Sequence, residues 1–210
     1  FGDIFKLLDD APTWSKELKE SAVERQKNLL KPANSLGQLE DIAVFLSSWG
    51  KKTMKDMEKI SAIVFAGNHG VCKQSVNPFP QEVTFQMVET FKSGKAAINK
   101  ICELNKINLE VIPIDLDKPT RDISVGPAMD EIEFLDSFNI GLSAVSESMD
   151  LITLGEMGIG NTTIASALCY HFFNNEVSSW VGPGTGSTQN QISHKGEIIE
   201  RAVKINKQSI

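Results

Sequence analysis

Short apolar segments that alternate with helical patterns constrain the fold of this chain most strongly. Buried strands are predicted at ISAIVFAG (60–67), NLEVIPID (108–115), DLITLG (150–155) and SSWVG (178–182). Apolar spacing of three and four residues predicts helices at 82–92, 95–104, about 130–149, 161–173 and 190–210. Continuously apolar strands separated by helices predict a Rossmann-like α/β fold, with a parallel sheet covered by helices on both faces.

The N-terminal segment has a different pattern and no strand signal. A capping box, Ser35-x-x-Gln38, is predicted to open a helix in which leucine and alanine repeat every three or four residues. We therefore predict a helical region at 1–55, part of a small domain, and the α/β domain at 56–210.

Composition excludes several classes of partner. The net charge is −6, and no cluster of lysine and arginine provides the basic surface that nucleic acids require, so no nucleic-acid partner is expected. The apolar runs are shorter than the roughly 20 residues that cross a bilayer, so no membrane partner is expected. Cys72, Cys102 and Cys169 are widely spaced and form no disulfide or zinc pattern, which favours a reducing cytoplasm.

The unusual chemistry of the chain follows the predicted strands. Loops at 66–81, 155–163 and 182–195 each leave a strand end. In a parallel sheet the carboxyl ends of the strands share one edge, and ligands bind there. The three loops are therefore expected to meet and to form one site.

Residues 155–162 read GEMGIGNT and fit the phosphate-loop pattern G-x-x-x-x-G-x-[ST], except that Asn161 stands where the lysine belongs. Gly158, Gly160, Thr162 and the start of the next helix remain suited to an anion, and better to a monophosphate than to a triphosphate with magnesium. The missing lysine disfavours an ATPase. The simpler alternative is that Asn161 is an ordinary helix N-cap.

Glu156 lies beside this anion site, at the end of a predicted buried strand. Placing a carboxylate at the end of a buried strand costs free energy through desolvation, which indicates that it has a function there. Glu156 is therefore a candidate catalytic or ribose-binding group. The alternative is a carboxylate that caps neighbouring loop amides.

A second glycine loop, VGPGTGS (181–187), brings Gly182 and Gly184 to another predicted strand end, where backbone amides can face a ligand. It does not fit the dinucleotide pattern, so no Rossmann cofactor is expected. Lys195 is a candidate counter-charge for a phosphate, although a lone lysine is more often a solvated surface residue.

An apolar wall for a flat heterocycle is predicted in the first loop and the helix after it. Phe79, Val83 and Met87 lie four residues apart and form one stripe if the helix extends back to Phe79. Core packing is an equally good explanation for each of them. His69, between glycines, is expected to hydrogen-bond loop backbone and is not assigned a catalytic role.

Taken together, these segments resemble a known family. KPANSLGQLE (31–40), AGNHGV (66–71), PQEVTFQMV (80–88), GPAM (126–129), LGEMGIGNTT (154–163) and VGPGTG (181–186) occur in the same order in nicotinate-nucleotide:dimethylbenzimidazole phosphoribosyltransferases. The resemblance implies transfer of phosphoribose from nicotinate mononucleotide to dimethylbenzimidazole or a related base. The products are α-ribazole 5′-phosphate, for the lower ligand of cobalamin, and nicotinate. It also implies a cytoplasmic homodimer that uses no metal or cofactor.

Carried onto matching positions, the resemblance implies roles for the candidate residues. Gly158, Gly184 and Lys195 hold the 5′-phosphate near the helix start at Asn161, and Glu156 sits beside the ribose and the attacking nitrogen. The base pocket is lined by Phe79, Val83, Met87 and Met157.

The sequence departs from the family in two respects. Asn68 stands where the family commonly has Asp, so its role is left open. Family members also continue well past Ile210, where they carry later strands and the glutamate regarded as their general base. The C-terminal part of the family fold is thus absent, and the resemblance does not require these 210 residues to be active by themselves. The alternative is a non-catalytic nucleotide- or base-binding protein that has lost this glutamate.

Overall fold

The computed structural model describes residues 2–50, 57–173 and 175–207. Its contacts divide the chain into two compact units, Phe1–Glu58 and Lys59–Ile210. The predicted boundary between residues 55 and 56 lies outside the described residues. Within them, no helix combines the length and apolarity needed to cross a bilayer.

The first unit is helical. It contains helices α1 (Gly2–Asp9), α2 (Lys16–Lys27) and α3 (Gln38–Trp49), and α2 packs against α3. The predicted capping box is wrong, because α3 begins after Gly37 and no side chain caps it. Instead, the Glu40 carboxylate turns back to accept from the Leu36 amide (3.1 Å) and from Lys31 Nζ (2.7 Å).

The second unit is built on a three-stranded parallel sheet in the order β2–β1–β3. Its strands are β1 (Ile60–Ala66), β2 (Asn108–Pro113) and β3 (Leu151–Met157). The central strand β1 is almost wholly buried, as expected for an apolar strand with a partner on each side. The predicted parallel α/β fold is confirmed.

Helices connect the strands and follow the last one. They are α4 (Glu82–Lys92), α5 (Ala97–Leu104), α6 (Glu131–Ser143), α7 (Asn161–Phe173) and α8 (Gln189–Asn206), with 3-10 turns at Gly70–Gln74 and Val177–Ser179. Helix α6 ends earlier than predicted. The hydroxyl of Ser146 accepts from the Ser148 amide nearby, and such local side-chain bonds compete with helix continuation.

Two sequence expectations about strands are wrong. No strand forms at 178–182, where backbone bonds such as Trp180 N–H to the Val177 carbonyl (2.9 Å) make a 3-10 turn. The Trp180 carbonyl also accepts from Ser166 Oγ (2.8 Å), which ties this segment to α7. In addition, β3 is not covered on both faces, since Leu154 is 71% exposed.

Helix α8 is fastened to the loops that follow β1 and β2 by polar contacts. His194 Nε2 lies 2.7 Å from the Gln74 carbonyl, and Asn206 Nδ2 donates to the Ile123 carbonyl (2.8 Å). Arg201 donates to both Gln74 and Ser124 at 3.1 Å. These hydrogen bonds therefore hold the helix that carries Lys195 against the loops at the carboxyl edge of the sheet.

Candidate active site

The loops after β1 and β3 touch at the carboxyl edge of the sheet. The Gly67 amide donates to the Met157 carbonyl (3.0 Å). A side chain at Gly158 would overlap the Gly67 carbonyl and the Asn161 side chain, so only glycine allows this close approach. Gly160, with φ of +100°, likewise packs against Cys72 and His69.

The second glycine loop reaches the same place, although no strand precedes it. Gly184 has a φ of +55°, and a Cβ built on it would lie 3.1 Å from Thr162 Oγ1 and 3.8 Å from Lys195 Nζ. The Pro183 carbonyl accepts from the Gly186 and Ser187 amides, which closes the turn. Gly182 has open space around it. All three loops therefore converge at one edge.

Lys195 lies buried in α8 and is not a solvated surface residue. It is 1% exposed, and its ammonium donates to Thr162 Oγ1 (2.7 Å) at the start of α7. Among the described residues no carboxylate forms an ion pair with it. Desolvation by burial lowers the pKa of Lys195 below its ordinary value. A buried cation without an anion beside a glycine turn and a helix N-terminus forms an anion-binding arrangement.

Asn161 is the first residue of α7 and does not cap it. The Gly160 carbonyl accepts the first helical bonds, from Thr163 N (2.9 Å) and Ile164 N (3.2 Å). The Asn161 side chain instead donates from Nδ2 to Glu156 Oε2, while its Oδ1 lies 2.7 Å from His69 Nε2. Both ends of its amide group are therefore hydrogen-bonded to other side chains of the site, so Asn161 does not replace the lysine of a phosphate loop.

Glu156 lies within β3, one residue before its end, and its side chain is exposed. Partial burial nevertheless raises the pKa of its carboxyl above the ordinary value. It does not cap neighbouring loop amides in the contacts recorded for the described residues, since its partner is the Asn161 side chain. A carboxylate held in this way at the edge of an open site is available to a ligand.

The candidate base-binding residues are brought together only in part. Helix α4 begins at Glu82 and does not extend back to Phe79, so the condition for a single helical stripe is not met. Phe79 is 49% exposed in the preceding bend. Val83 and Met87 are half-buried on α4, and Met157 is half-buried at the end of β3. The Ile159 amide donates to Thr84 Oγ1 (3.0 Å), which ties α4 to the turn after β3.

Some contacts were missed or misjudged from the sequence. His69 bonds the Asn161 side chain and not loop backbone; its own carbonyl accepts from Gln81 Nε2 (2.6 Å). The buried Asn68 donates to the Leu116 carbonyl (3.0 Å), which gives it a role in holding the loop after β2. No local pattern signals these partners, because they lie far away in the chain. No group of three potential metal ligands occurs in the described part of the chain.

Fold and site together define a parallel α/β protein with a buried lysine and two glycine turns at the carboxyl edge of its sheet. The family model described as "Phosphoribosyltransferase" matches residues 11–210, and the chain belongs to this family. The matched range includes every site residue described above.

Relatives and solved structures agree with this assignment. Nicotinate-nucleotide–dimethylbenzimidazole phosphoribosyltransferase from Rhodobacter capsulatus is 43% identical over 205 residues, covering 98% of this chain and 61% of the relative. The protein of that name from Methylorubrum extorquens is 46% identical, over 95% of this chain and 58% of the relative. The structure of the Thermus thermophilus protein of that name aligns with a TM-score of 0.76 at 28% identity, over 90% of this chain and 62% of that chain. The chain spans about three fifths of the length of these proteins.

Proposed function

We propose that the protein containing this chain transfers phosphoribose from nicotinate mononucleotide to dimethylbenzimidazole or a related base. The products are α-ribazole 5′-phosphate and nicotinate. The observation that carries the proposal is the buried ammonium of Lys195, which has Thr162 as its hydrogen-bond partner and no ion-pair partner in the described part of the chain. A phosphate at this position would supply the missing anion.

The phosphate clamp is proposed to consist of Lys195, the Thr162 hydroxyl and the backbone of the two glycine turns. Gly158, Gly160 and the start of α7 at Asn161 form one side of this clamp, and Gly182 and Gly184 form the other. Fixing the phosphate fixes the ribose, so the anomeric carbon is presented to the incoming base in one geometry.

In the proposed reaction, a base ring nitrogen forms a bond to the anomeric carbon, and the bond to nicotinate breaks with its electron pair leaving on nicotinate. Positive charge develops on the sugar in the transition state, and the Glu156 carboxylate is proposed to stabilise it. The proton lost from the base goes to a general base, which the family resemblance implies lies beyond Ile210. Phe79, Val83, Met87 and Met157 are proposed to hold the flat base.

We also propose a homodimer that works in the cytoplasm. The cytoplasmic part is supported by Cys72, Cys102 and Cys169, which are all free thiols. The dimer is implied by the family resemblance and is tested by light scattering on the purified protein. The helical region at 1–55 is proposed to be part of a small domain and residues 56–210 the α/β domain that carries the substrates.

The proposal is tested by incubating the full-length protein with nicotinate mononucleotide and a set of benzimidazoles, purines and phenols. Mass spectrometry should detect free nicotinate and one new ribosyl phosphate, in equal amounts and only when a base is present. If nicotinate mononucleotide binds but no nicotinate is released with any base, the protein is a nucleotide-binding protein and the transferase proposal is wrong.

A further inference from the structure

Three side chains from distant parts of the chain form a hydrogen-bonded series in the site. Glu156 comes from β3, Asn161 from the first turn of α7 and His69 from the loop after β1. Asn161 lies in the middle, with its amide nitrogen on Glu156 and its carbonyl oxygen 2.7 Å from His69 Nε2. The series is independent of the Lys195 ammonium, whose hydrogen bond goes to Thr162.

The direction of each bond follows from the chemistry of the groups. An ionised carboxylate only accepts hydrogen bonds, so it requires the NH₂ side of the Asn161 amide. The carbonyl side then faces His69 and must receive a proton donor, so the His69 imidazole carries its proton on Nε2. If this donor were absent, Glu156 would still hold the NH₂ side of the amide, but the carbonyl oxygen would lose its hydrogen bond and the Asn161 side chain would be held at one end only.

The backbone that carries the His69 imidazole is held by two contacts. The His69 carbonyl accepts from Gln81 Nε2 (2.6 Å), and the chain at His69 pairs with Thr120 as an isolated parallel bridge. Gly160 lies beside the ring, since a Cβ built on it would be in ordinary van der Waals contact with His69 Cδ2 at 3.5 Å. Desolvation also lowers the pKa of His69, which favours the neutral form of the ring.

The other titratable groups beside this series have partners of their own. Cys72 donates from Sγ to the Ile159 carbonyl (3.1 Å), and burial raises the pKa of its thiol. Lys195 donates to Thr162 Oγ1. Neither group hydrogen-bonds to the Asn161 amide within the described residues, so His69 and Glu156 together set its orientation.

We propose that His69 and Asn161 are positioning residues for Glu156. The neutral imidazole fixes the Asn161 amide, and the amide holds the carboxylate in one orientation at the edge of the sugar site. This inference rests on the proposed function for its effect on turnover, whereas the hydrogen-bonded series itself is testable without substrate.

The first experiment measures the series in the unliganded full-length protein. Histidine labelled with ¹⁵N should show His69 as a neutral ring protonated on Nε2, with Asn161→Ala shifting it toward a tautomer mixture. The signal of the Glu156 carboxyl is identified as the one that Glu156→Gln lacks. In His69→Phe this carboxyl should titrate at a higher pKa, because the Asn161 amide no longer donates to its charged form in a fixed orientation. His69→Gln keeps a side-chain donor and should restore the original titration. His171→Phe, on the far part of α7, is the matched control.

The second experiment measures turnover of the same variants. His69→Phe leaves the Asn161 amide held at one end only and should lower kcat about tenfold or more, the scale of losing the hydrogen bond from Asn161 to the charged Glu156 carboxylate. Its KM for nicotinate mononucleotide should change less than about twofold because the phosphate contacts are intact. His69→Gln should recover most of the lost kcat.

The outcomes separate the two proposals. An unchanged Glu156 titration in folded His69→Phe and Asn161→Ala would overturn the positioning role, whatever the activity. Equal losses in His69→Phe and His69→Gln would also overturn it, because they would indicate a packing role for the ring. If the wild-type protein shows the expected titrations and tautomer but releases no nicotinate, the series stands and the transferase proposal fails.

Discussion

Removing the buried ammonium of Lys195 should have two opposite effects: a more stable protein without ligand and weaker binding of the nucleotide. Lys195→Met keeps the length of the side chain and removes its charge, so the unliganded protein no longer pays to bury an unpaired cation. Replacing buried ion pairs by well-packed apolar groups stabilises proteins by about 1–4 kcal/mol, and loss of the donor to Thr162 offsets about 1 kcal/mol of that. By analogy we expect a net gain of up to about 3 kcal/mol, or up to about 12 °C in Tm for a chain of this size.

The same substitution should weaken nucleotide binding. A charge-assisted hydrogen bond contributes about 1.5–3 kcal/mol, so the affinity for nicotinate mononucleotide should fall about 10- to 150-fold. Isothermal titration calorimetry measures the affinity, and scanning calorimetry without ligand measures Tm. Lys204→Met is the matched control, since Lys204 is exposed on the same helix. A Lys195→Met protein that is less stable and binds the nucleotide as tightly as the wild type would refute the anion-site reasoning.

The pH dependence of stability gives an independent check. Because burial lowers the pKa of Lys195 in the folded protein, the unfolded chain binds more protons between that lowered pKa and the ordinary lysine value of about 10.4. Stability from this residue therefore rises with pH across the interval. The wild type should gain stability relative to Lys195→Met as pH rises toward 10, and bound phosphate should reduce that gain by favouring the charged form.

Other substitutions test the remaining parts of the site. Glu156→Gln should lower kcat at least about a hundredfold in a nicotinate-release assay, and unchanged turnover would remove the residue from the mechanism. Gly158→Ala should force β1 and β3 loops apart and lower the free energy of unfolding by about 2 kcal/mol or more in urea titrations, whereas Gly182→Ala, with open space around it, should change it by less than about 0.5 kcal/mol. Phe79→Ala should raise KM for the base about tenfold with little change in Tm, since the side chain is half exposed; a large loss of Tm with unchanged KM would make it a packing residue.

Local sequence patterns predicted much of the sheet. The strand signals at 60–67, 108–115 and 150–155 correspond to β1, β2 and β3, and the helix predicted at 82–92 corresponds closely to α4. The central strand β1 succeeds because a buried parallel strand must be apolar along its whole length, which is a property of the segment alone. Strands β2 and β3 form where they are predicted but are more exposed than a buried strand. The signal at 178–182 fails because its backbone bonds locally and to Ser166, a partner that no short pattern contains.

The candidate site divides in the same way. The glycine turns and the hydroxyls at 155–163 can be predicted from the sequence, since an anion site needs bare backbone at a helix start. The burial of Lys195 cannot be predicted in this way, because its ammonium contacts Thr162, which lies 33 residues earlier in the chain. His69 was missed as a partner of Asn161 for the same reason, as 92 residues separate them.

The sequence alone thus determined the class of fold, the positions of the glycine turns and the family. Tertiary structure decided which polar groups are paired and, in the part of the chain that the structure describes, left the buried Lys195 ammonium without a carboxylate partner. The physical reason is that strand and turn formation depend on neighbouring residues, whereas desolvation and hydrogen-bond partners depend on groups that only folding brings together.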